Sequence, residues 1–146
     1  MEIQIRSQQK IPGLKSRTIK RTIKRVLKDL ACNWEELSIL FTDDAHIAEL
    51  NSVYLGRDGP TNVLAFPMSE DSPTDVDSGM LGDVVVSVDT AIQEANELGK
   101  SMEETIYRLL IHGILHLFNY DHERSPEDEH IMQREEKRLL ALIREE

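Results

Sequence analysis

Apolar residues recur along this chain with two different periods, every second residue in some stretches and every three to four residues in others. The first period is typical of β-strands and the second of α-helices. Four stretches show the alternation or the unbroken apolar run of a β-strand: residues 2–6, 37–42, 61–66 and 81–88. Pro67 ends the third stretch, and because proline has no N–H to donate, this strand is predicted to lie at an edge of the sheet. The pattern therefore predicts one small sheet of four strands.

Apolar residues three and four positions apart predict about five helices around these strands. The first helix lies between the first two strands, and the second runs from a cap at Asp43 or Asp44 to about Tyr54. The side chains predicted to face inward are Ile19, Ile23, Val26, Leu27 and Leu30 in the first helix and Ile47, Leu50 and Val53 in the second.

The other three helices have start or stop signals of their own. Asp89 is predicted to cap the third helix and Gly99 to end it, while Ser101 opens the fourth as part of a capping box. Ser125 and Pro126 start the fifth helix. Its predicted packing residues are Ile131, Met132, Leu139, Leu142 and Ile143. We expect residues 1–146 to form a single α+β domain, a small mixed four-stranded sheet packed with helices around a buried fourth helix.

The fourth helix is unusual because it has almost no polar side. Its apolar residues are Ile106, Leu109, Leu110, Ile111, Ile114, Leu115, Leu117 and Phe118. Such a helix is predicted to be buried all round, so His112 and His116 within it need a specific reason. Each could be a hydrogen-bonded core histidine, but two histidines four residues apart share one helix face and can reach a single metal ion.

A third histidine follows at a spacing that suits the same ion. Asn119 tolerates the left-handed conformation that ends a helix, and the turn would bring His122 back toward His112 and His116. Three imidazoles leave a fourth coordination position open, as in catalytic zinc sites. Asp121, beside His122, could orient a metal ligand through a hydrogen bond, and a surface aspartate at a helix exit is an equally good interpretation.

Composition and compartment signals are those of an ordinary globular protein. Hydrophobic residues make up 40% and charged residues 30% of the chain, and no apolar run approaches the length of a membrane span. The first residues lack the organisation of a secretion signal, and the single Cys32 cannot form an internal disulfide, so a cytoplasmic protein is expected. Cys32 is interpreted as a small core residue.

Charge is distributed very unevenly. Residues 1–30 hold nine Lys or Arg and two acidic residues, whereas the whole chain has a net charge of −10. The first helix gathers a basic face opposite its apolar stripe, formed by Arg17, Lys20, Arg21, Lys24, Arg25 and Lys28. This basic face is compatible with binding the phosphates of a nucleic acid, although a solvated helix surface is the more common meaning of such a pattern.

The histidine spacing resembles two known patterns. His112, His116 and His122 have the spacing of the metzincin zinc signature, but Gly113 stands where those metalloproteases keep their general-base glutamate, which discourages peptide hydrolysis. The segment from 112 to 122, HGILHLFNYDH, together with PTNVLAFP at 60–67 and LGD at 81–83, closely resembles the bacterial YbeY family. The resemblance extends over nearly the whole chain.

This resemblance implies a fold, an activity and a site. Members of the YbeY family are metal-dependent, single-strand-specific endoribonucleases of ribosomal RNA maturation, including the 3′ end of the small-subunit RNA, and of ribosome quality control. It implies one transition-metal ion, zinc or alternatively nickel, on His112, His116 and His122, and as partners RNA, the ribosome and ribosomal proteins. The family arginine that is important for RNA cleavage is replaced here by Leu55, so its role would fall to Arg57.

The residues and the resemblance together leave three candidate functions for the chain. A metal ion on three neutral imidazoles lowers the pKa of a bound water toward 7 and polarises a phosphoryl oxygen, which suits an RNA hydrolase without a carboxylate base. The first alternative is a ribosome-binding assembly factor whose metal is structural. The second is a metallopeptidase, which Gly113 disfavours. Three imidazoles suit zinc, nickel, copper or iron, so the sequence leaves the identity of the metal open.

Overall fold

The structure is a computed structural model and describes residues 2–30, 36–67, 80–118 and 125–144. These ranges contain four strands and five helices, as expected from the sequence. In chain order they are β1 (Glu2–Ser7), α1 (Ser16–Asp29), β2 (Glu36–Thr42), α2 (Asp44–Leu55), β3 (Val63–Pro67), β4 (Met80–Ser87), α3 (Val88–Leu98), α4 (Met102–Leu117) and α5 (Pro126–Arg144).

The four strands form one mixed sheet in the order β1-β2-β4-β3. Strands β1, β2 and β4 run parallel, with Ile5 opposite Ile39 and Ile39 opposite Val84. Strand β3 runs antiparallel to β4, and it lies at the edge of the sheet that Pro67 predicted. The predicted α+β class and the mixed four-stranded sheet are confirmed.

The helices cover the two faces of the sheet unequally. Helices α1, α3 and α4 pack on one face, over a core that includes Ile39, Phe41 and Val84. On the opposite face α2 places Ile47 against Leu64 and Val85. Because α2 is short and covers only part of its face, Val53 near its end stays 68% exposed, so the prediction that it turns inward was wrong.

Helix α5 forms a further layer outside α4. The apolar side chains between them and α1 form a separate small cluster, made by Val26, Ile111, Leu115, Met132 and Leu139. Helix α4 is therefore enclosed by the sheet on one side and by α5 on the other, which explains its apolar residues on almost every side. Ile131 lies on the outer side of α5, 36% exposed, and does not pack as predicted.

Most predicted helix caps are confirmed, and one was assigned to the wrong residue. The side chains of Ser101 and Ser125 accept the predicted N–H bonds at the starts of α4 and α5. Helix α3 is capped by Ser87, not Asp89, because β4 leads into α3 without a loop and its last residue takes the cap position. The Asp89 carboxylate instead accepts the backbone N–H of Asp44 in the first turn of α2.

Several predictions concern residues outside the described ranges. These are the core role of Cys32, the helix exit at Asn119, and the site residues Asp121 and His122. No helix within the described part of the chain has both the length and the apolar character needed to cross a membrane.

Candidate metal centre

The two histidines of α4 face each other across one helical turn. The Nε2 atoms of His112 and His116 lie 3.1 Å apart. Their rings meet edge to face, with centroids 4.7 Å apart and an angle of 70° between the ring planes. The spacing of four residues produces this directly, since such pairs lie one above the other on a helix surface. The same ring atom of both side chains is therefore directed to one point.

The separation of these two nitrogens suits a shared metal ion. Zinc–nitrogen bonds of 2.0–2.1 Å at a tetrahedral angle place two ligand nitrogens about 3.3 Å apart. The Nε2 atoms of His112 and His116 come within a few tenths of an ångström of that separation. Without a metal, one Nε2–H can donate to the other Nε2, and a cation would take the place of that proton. The donor set and its spacing thus fit the implied ion.

The opposite nitrogen of His112 is bonded to a carboxylate. His112 Nδ1 forms a hydrogen bond with Glu136 Oε1, which α5 brings to the side of α4. The His112 side chain is 29% exposed and that of Glu136 only 19% exposed. A carboxylate in this position accepts a hydrogen bond from the Nδ1–H group of His112. The Nε2 atom then keeps its lone pair, which is directed away from the carboxylate.

The prediction from sequence missed Glu136, although a signal was present. Met132, Glu136 and Leu139 follow one another at helical spacing, and the two apolar members of this stripe are buried. A carboxylate between two buried residues on the same stripe faces the layer beneath, where a basic or donating partner is expected. In the structure that partner is His112.

Helix α5 is fixed beside the site by contacts with α1. Arg138 lies 2.7 Å from Asp29 through Nη1 and bonds Glu135 through Nη2. These two acidic neighbours, Glu135 first, raise the pKa of Arg138 above its ordinary value. The Nη2 atom of Arg25 donates to the backbone oxygen of Leu142 at 3.2 Å. Glu136 therefore extends from a helix that is joined to α1 at Arg138 and Leu142.

A polar chain fixes the other end of α4 to the sheet edge. Arg108, one turn before His112, pairs with Glu94 of α3 at 2.7 Å. The same carboxylate accepts Asn62 Nδ2 at 2.8 Å, at the start of β3. Asn62, in the PTNVLAFP segment at 60–67, therefore has a structural role. It links β3 to α3 and, through Glu94, to α4.

The glycine between the two histidines faces the sheet. A Cβ placed on Gly113 would lie 2.7 Å from Val84 Cγ1 and 3.2 Å from Val63 Cγ2. A side chain at position 113 would have to displace the side chains of Val84 and Val63, so the glycine allows close packing of α4 on β3 and β4. Gly113 has no carboxylate that could act as a general base, which disfavours the metallopeptidase alternative.

The third predicted ligand cannot be placed by the described residues. His122 and Asp121 lie outside them. Within the described ranges, no group of three or more His, Cys, Asp or Glu residues is arranged to hold a metal ion. The described part of the site therefore supplies two of the three predicted ligands, and the role of His122 stays a prediction.

Arg57 lies on a short segment that follows α2. Gly56 ends the helix in the left-handed conformation, with φ 64°. The buried Asn51 then holds the segment, since its backbone oxygen accepts the N–H of Arg57 at 3.2 Å and its Nδ2 donates to Gly59 at 3.0 Å. The Arg57 side chain is exposed, as is Leu55 at the end of α2. Both positions can therefore present a side chain to a large substrate.

The basic face of α1 is confirmed as an exposed surface for five of its six members. Arg25 is the exception, because it is half-buried and donates to α5, so its assignment to the exposed face was wrong. Position 25 lies where α5 crosses α1. A shallow depression of about 560 Å³ lies among the others and is lined by Ser16, Arg17, Lys20, Arg21 and Lys24.

Comparison with known proteins assigns the chain to a family. The family model described as "Endoribonuclease YbeY" matches residues 2–144. The chain is 43% identical over 145 residues to the endoribonuclease YbeY of Syntrophotalea carbinolica, covering 99% of this chain and 97% of that protein. It is 45% identical over 125 residues to that of Aquifex aeolicus, covering 86% and 81%.

The chain belongs to the endoribonuclease YbeY family. This confirms the resemblance carried by the histidine motif and places the chain in a class of hydrolases. Its fold is also similar to the solution structure of TM1509 from Thermotoga maritima, with a TM-score of 0.64 and 26% identity over 97% of this chain and 89% of that one.

Proposed function

We propose that this YbeY-family chain is a metal-dependent endoribonuclease that cleaves single-stranded RNA. We propose further that it acts in ribosomal RNA maturation, at the 3′ end of the small-subunit RNA, and in ribosome quality control, with the ribosome and ribosomal proteins as partners. The observation that carries the proposal is the convergence of the His112 and His116 Nε2 atoms at 3.1 Å in a family of endoribonucleases.

In this proposal His112, His116 and His122 hold one transition-metal ion, zinc in the first instance and nickel as the alternative. When bound, the ion supplies a Lewis acid for a phosphoryl oxygen and a water of lowered pKa, which suits hydrolysis of a phosphodiester. The chain supplies orientation: α4 keeps the two imidazoles in register, and the close packing of Gly113 on the sheet keeps α4 in place.

Charged residues outside the histidine pair would bind and stabilise the substrate. The exposed members of the α1 basic face would attract the RNA backbone, because phosphates release counterions when lysines and arginines neutralise them. Arg57, exposed and held by Asn51, would stabilise the charge that develops on the phosphoryl oxygens during cleavage. Asp121 would orient one of the metal ligands.

A preference for single strands is supported by the aromatic residues on the α2 side of the sheet. Tyr54 is 66% exposed, and its ring meets that of Phe66 edge to face, with centroids 5.5 Å apart. Both line an open groove of about 590 Å³, together with Arg6 and His46. Unpaired bases stack on such rings, whereas the bases of a duplex are already stacked on one another.

One assay separates this function from its alternatives. Purified protein, with and without a chelator, is offered unstructured RNA, a DNA strand of the same sequence, a fully paired RNA duplex and casein. We expect chelator-sensitive cleavage of the unstructured RNA only, and loss of that cleavage in His116→Ala, which also controls for contaminating nucleases. RNA binding without cleavage would support a ribosome assembly factor with a structural metal. Cleavage of casein would support a metallopeptidase.

A further inference from the structure

Glu136 places a carboxylate against a nitrogen of His112, on the side of the ring opposite the candidate metal centre. We propose that Glu136 is a positioning residue, which fixes the tautomer and orientation of His112 so that its Nε2 lone pair is directed at the metal. The inference rests on the proposed metal-dependent function and goes beyond it, because it assigns the affinity of the site in part to a residue of α5.

The two nitrogens of the His112 imidazole ring have different partners. A neutral histidine carries its proton on one nitrogen, and only the unprotonated nitrogen can bind a metal ion. Glu136 accepts from Nδ1, which therefore carries the proton, and Nε2 becomes the ligand atom. The Nε2 of His112 is also the atom that meets His116, so the hydrogen bond and the spacing of the pair select the same nitrogen.

The position of Glu136 is costly without such a role. Its side chain is 19% exposed and lies on the buried stripe of α5, where an apolar residue would pack on α4 as Met132 and Leu139 do. Docking of α5 does not depend on it, because the apolar cluster, Arg138 and Arg25 already join this helix to its neighbours. The carboxylate is therefore best explained by what it does to His112.

The expected effect is on metal affinity more than on folding. Partners that orient metal-binding histidines typically change metal affinity by roughly 10- to 100-fold when they are removed. Glu136→Gln keeps an oxygen that can accept from Nδ1 but lacks the charge, so we expect about a 10-fold loss. Glu136→Ala removes the acceptor, so we expect a loss of up to about 100-fold.

The experiment combines two measurements on the full chain. Zinc affinity is measured by competition with a chromophoric chelator for the wild type, Glu136→Gln, Glu136→Ala and Glu127→Gln, the last being an exposed glutamate of the same helix. Nitrogen-15 NMR of the metal-free proteins reports which ring nitrogen of His112 carries the proton. We expect the Nδ1–H form in the wild type, its loss in Glu136→Ala, and wild-type affinity in Glu127→Gln.

The outcomes separate this inference from the function on which it rests. If the wild type and Glu127→Gln bind zinc and both Glu136 variants bind it equally well, the positioning role is refuted while the metal site stands. If the Glu136 variants only lower the melting temperature of the metal-free protein and leave zinc affinity unchanged, Glu136 serves only to hold α5 on α4. That result would also refute the positioning role. If the wild type binds no zinc, the proposed metal-dependent function fails, and the positioning role fails with it.

Discussion

Helices α1 and α4 pack on the same face of the sheet, yet their polar residues carry different amounts of functional information. In α1 five of the six basic residues occupy the side that faces solvent, where almost any polar residue is tolerated. In α4 two histidines interrupt a helix that is otherwise buried on nearly every side. A polar residue in the second setting needs a partner, so its presence is more specific evidence of function.

The contacts that these polar residues make also differ between α1 and α4. Of the six basic residues of α1, Arg25 proved to be a structural contact with α5, which its position in the pattern did not indicate. In α4 the Nε2 atoms of His112 and His116 meet each other, and Glu136 orients His112 by a hydrogen bond to the opposite ring nitrogen. A charge pattern on an exposed helix face therefore defines a surface, whereas two half-buried polar residues that meet within an apolar helix define a site.

The largest effect is expected from removing a ligand of the α4 site. His112→Ala, His116→Ala and His122→Ala should each lose bound metal and reduce RNA cleavage by at least about 10³-fold, since a metal supplies several kcal/mol of transition-state stabilisation. Elemental analysis and single-turnover cleavage measure the two effects. His130→Ala, an exposed histidine of α5, is the control and should change neither. Full metal content in both His112→Ala and His122→Ala would remove the site as proposed.

The second effect concerns Arg57, which lies outside both helices. If it replaces the family arginine that is absent at Leu55, Arg57→Ala should slow RNA cleavage by roughly 10²- to 10³-fold, the effect of removing one donor that stabilises the transition state. Metal content and melting temperature should be unchanged, and Arg134→Ala on α5 should be silent. Leu55→Arg, added to the Arg57→Ala variant, should restore part of the lost cleavage activity. A silent Arg57→Ala, with strong activity created by Leu55→Arg in a nearly inactive parent, would favour the binding factor.

The third effect tests why α4 packs so closely on the sheet. Gly113→Ala should destabilise the protein by about 1–3 kcal/mol, because its new Cβ would meet Val84 at 2.7 Å. Helix propensity alone predicts the opposite sign, a gain of about 1 kcal/mol from replacing glycine by alanine within a helix. Denaturant unfolding decides between them. An unchanged or increased free energy of unfolding would show that α4 can move away from Val84 and Val63.

The smallest effect is expected on the α1 face. Reversing two exposed charges, Lys20→Glu with Lys24→Glu, should weaken RNA binding and lower the log-log salt slope by roughly 0.7 for each phosphate that is no longer neutralised. Arg134→Glu with Lys137→Glu on α5 is the matched control for charge alone. If both pairs change the slope equally, or neither does, the α1 face is a solvated surface or binds protein on the ribosome.

The order of elements and the histidine pair were accessible from the sequence because both depend on local spacing. Period-two and period-3.6 patterns placed the four strands and five helices, and the i, i+4 spacing placed His112 above His116. Contacts between distant segments were not accessible in the same way. Glu136 lies 24 residues after His112, and the two meet only because α5 packs across α4.

Errors in the sequence predictions have the same origin. Ser87, not Asp89, caps α3 because β4 and α3 join without a loop, which the preference of aspartate for cap positions does not reveal. Val53 was predicted to be buried because the pattern of α2 was continued past the region that the sheet covers. In both cases the local preference was reasonable and the tertiary arrangement decided the outcome.

The central claim, that α4 carries a metal site used to cleave RNA, is tested most directly by restoring metal to chelated protein. Zinc is added in steps to the metal-free wild type and to metal-free His116→Ala, and cleavage of an unstructured RNA is measured at each step. We expect wild-type activity to rise linearly and to reach a plateau at one zinc per chain, while His116→Ala stays inactive. Cleavage that is independent of zinc, or equal in the two proteins, would show that the α4 histidines do not hold a metal used for cleavage.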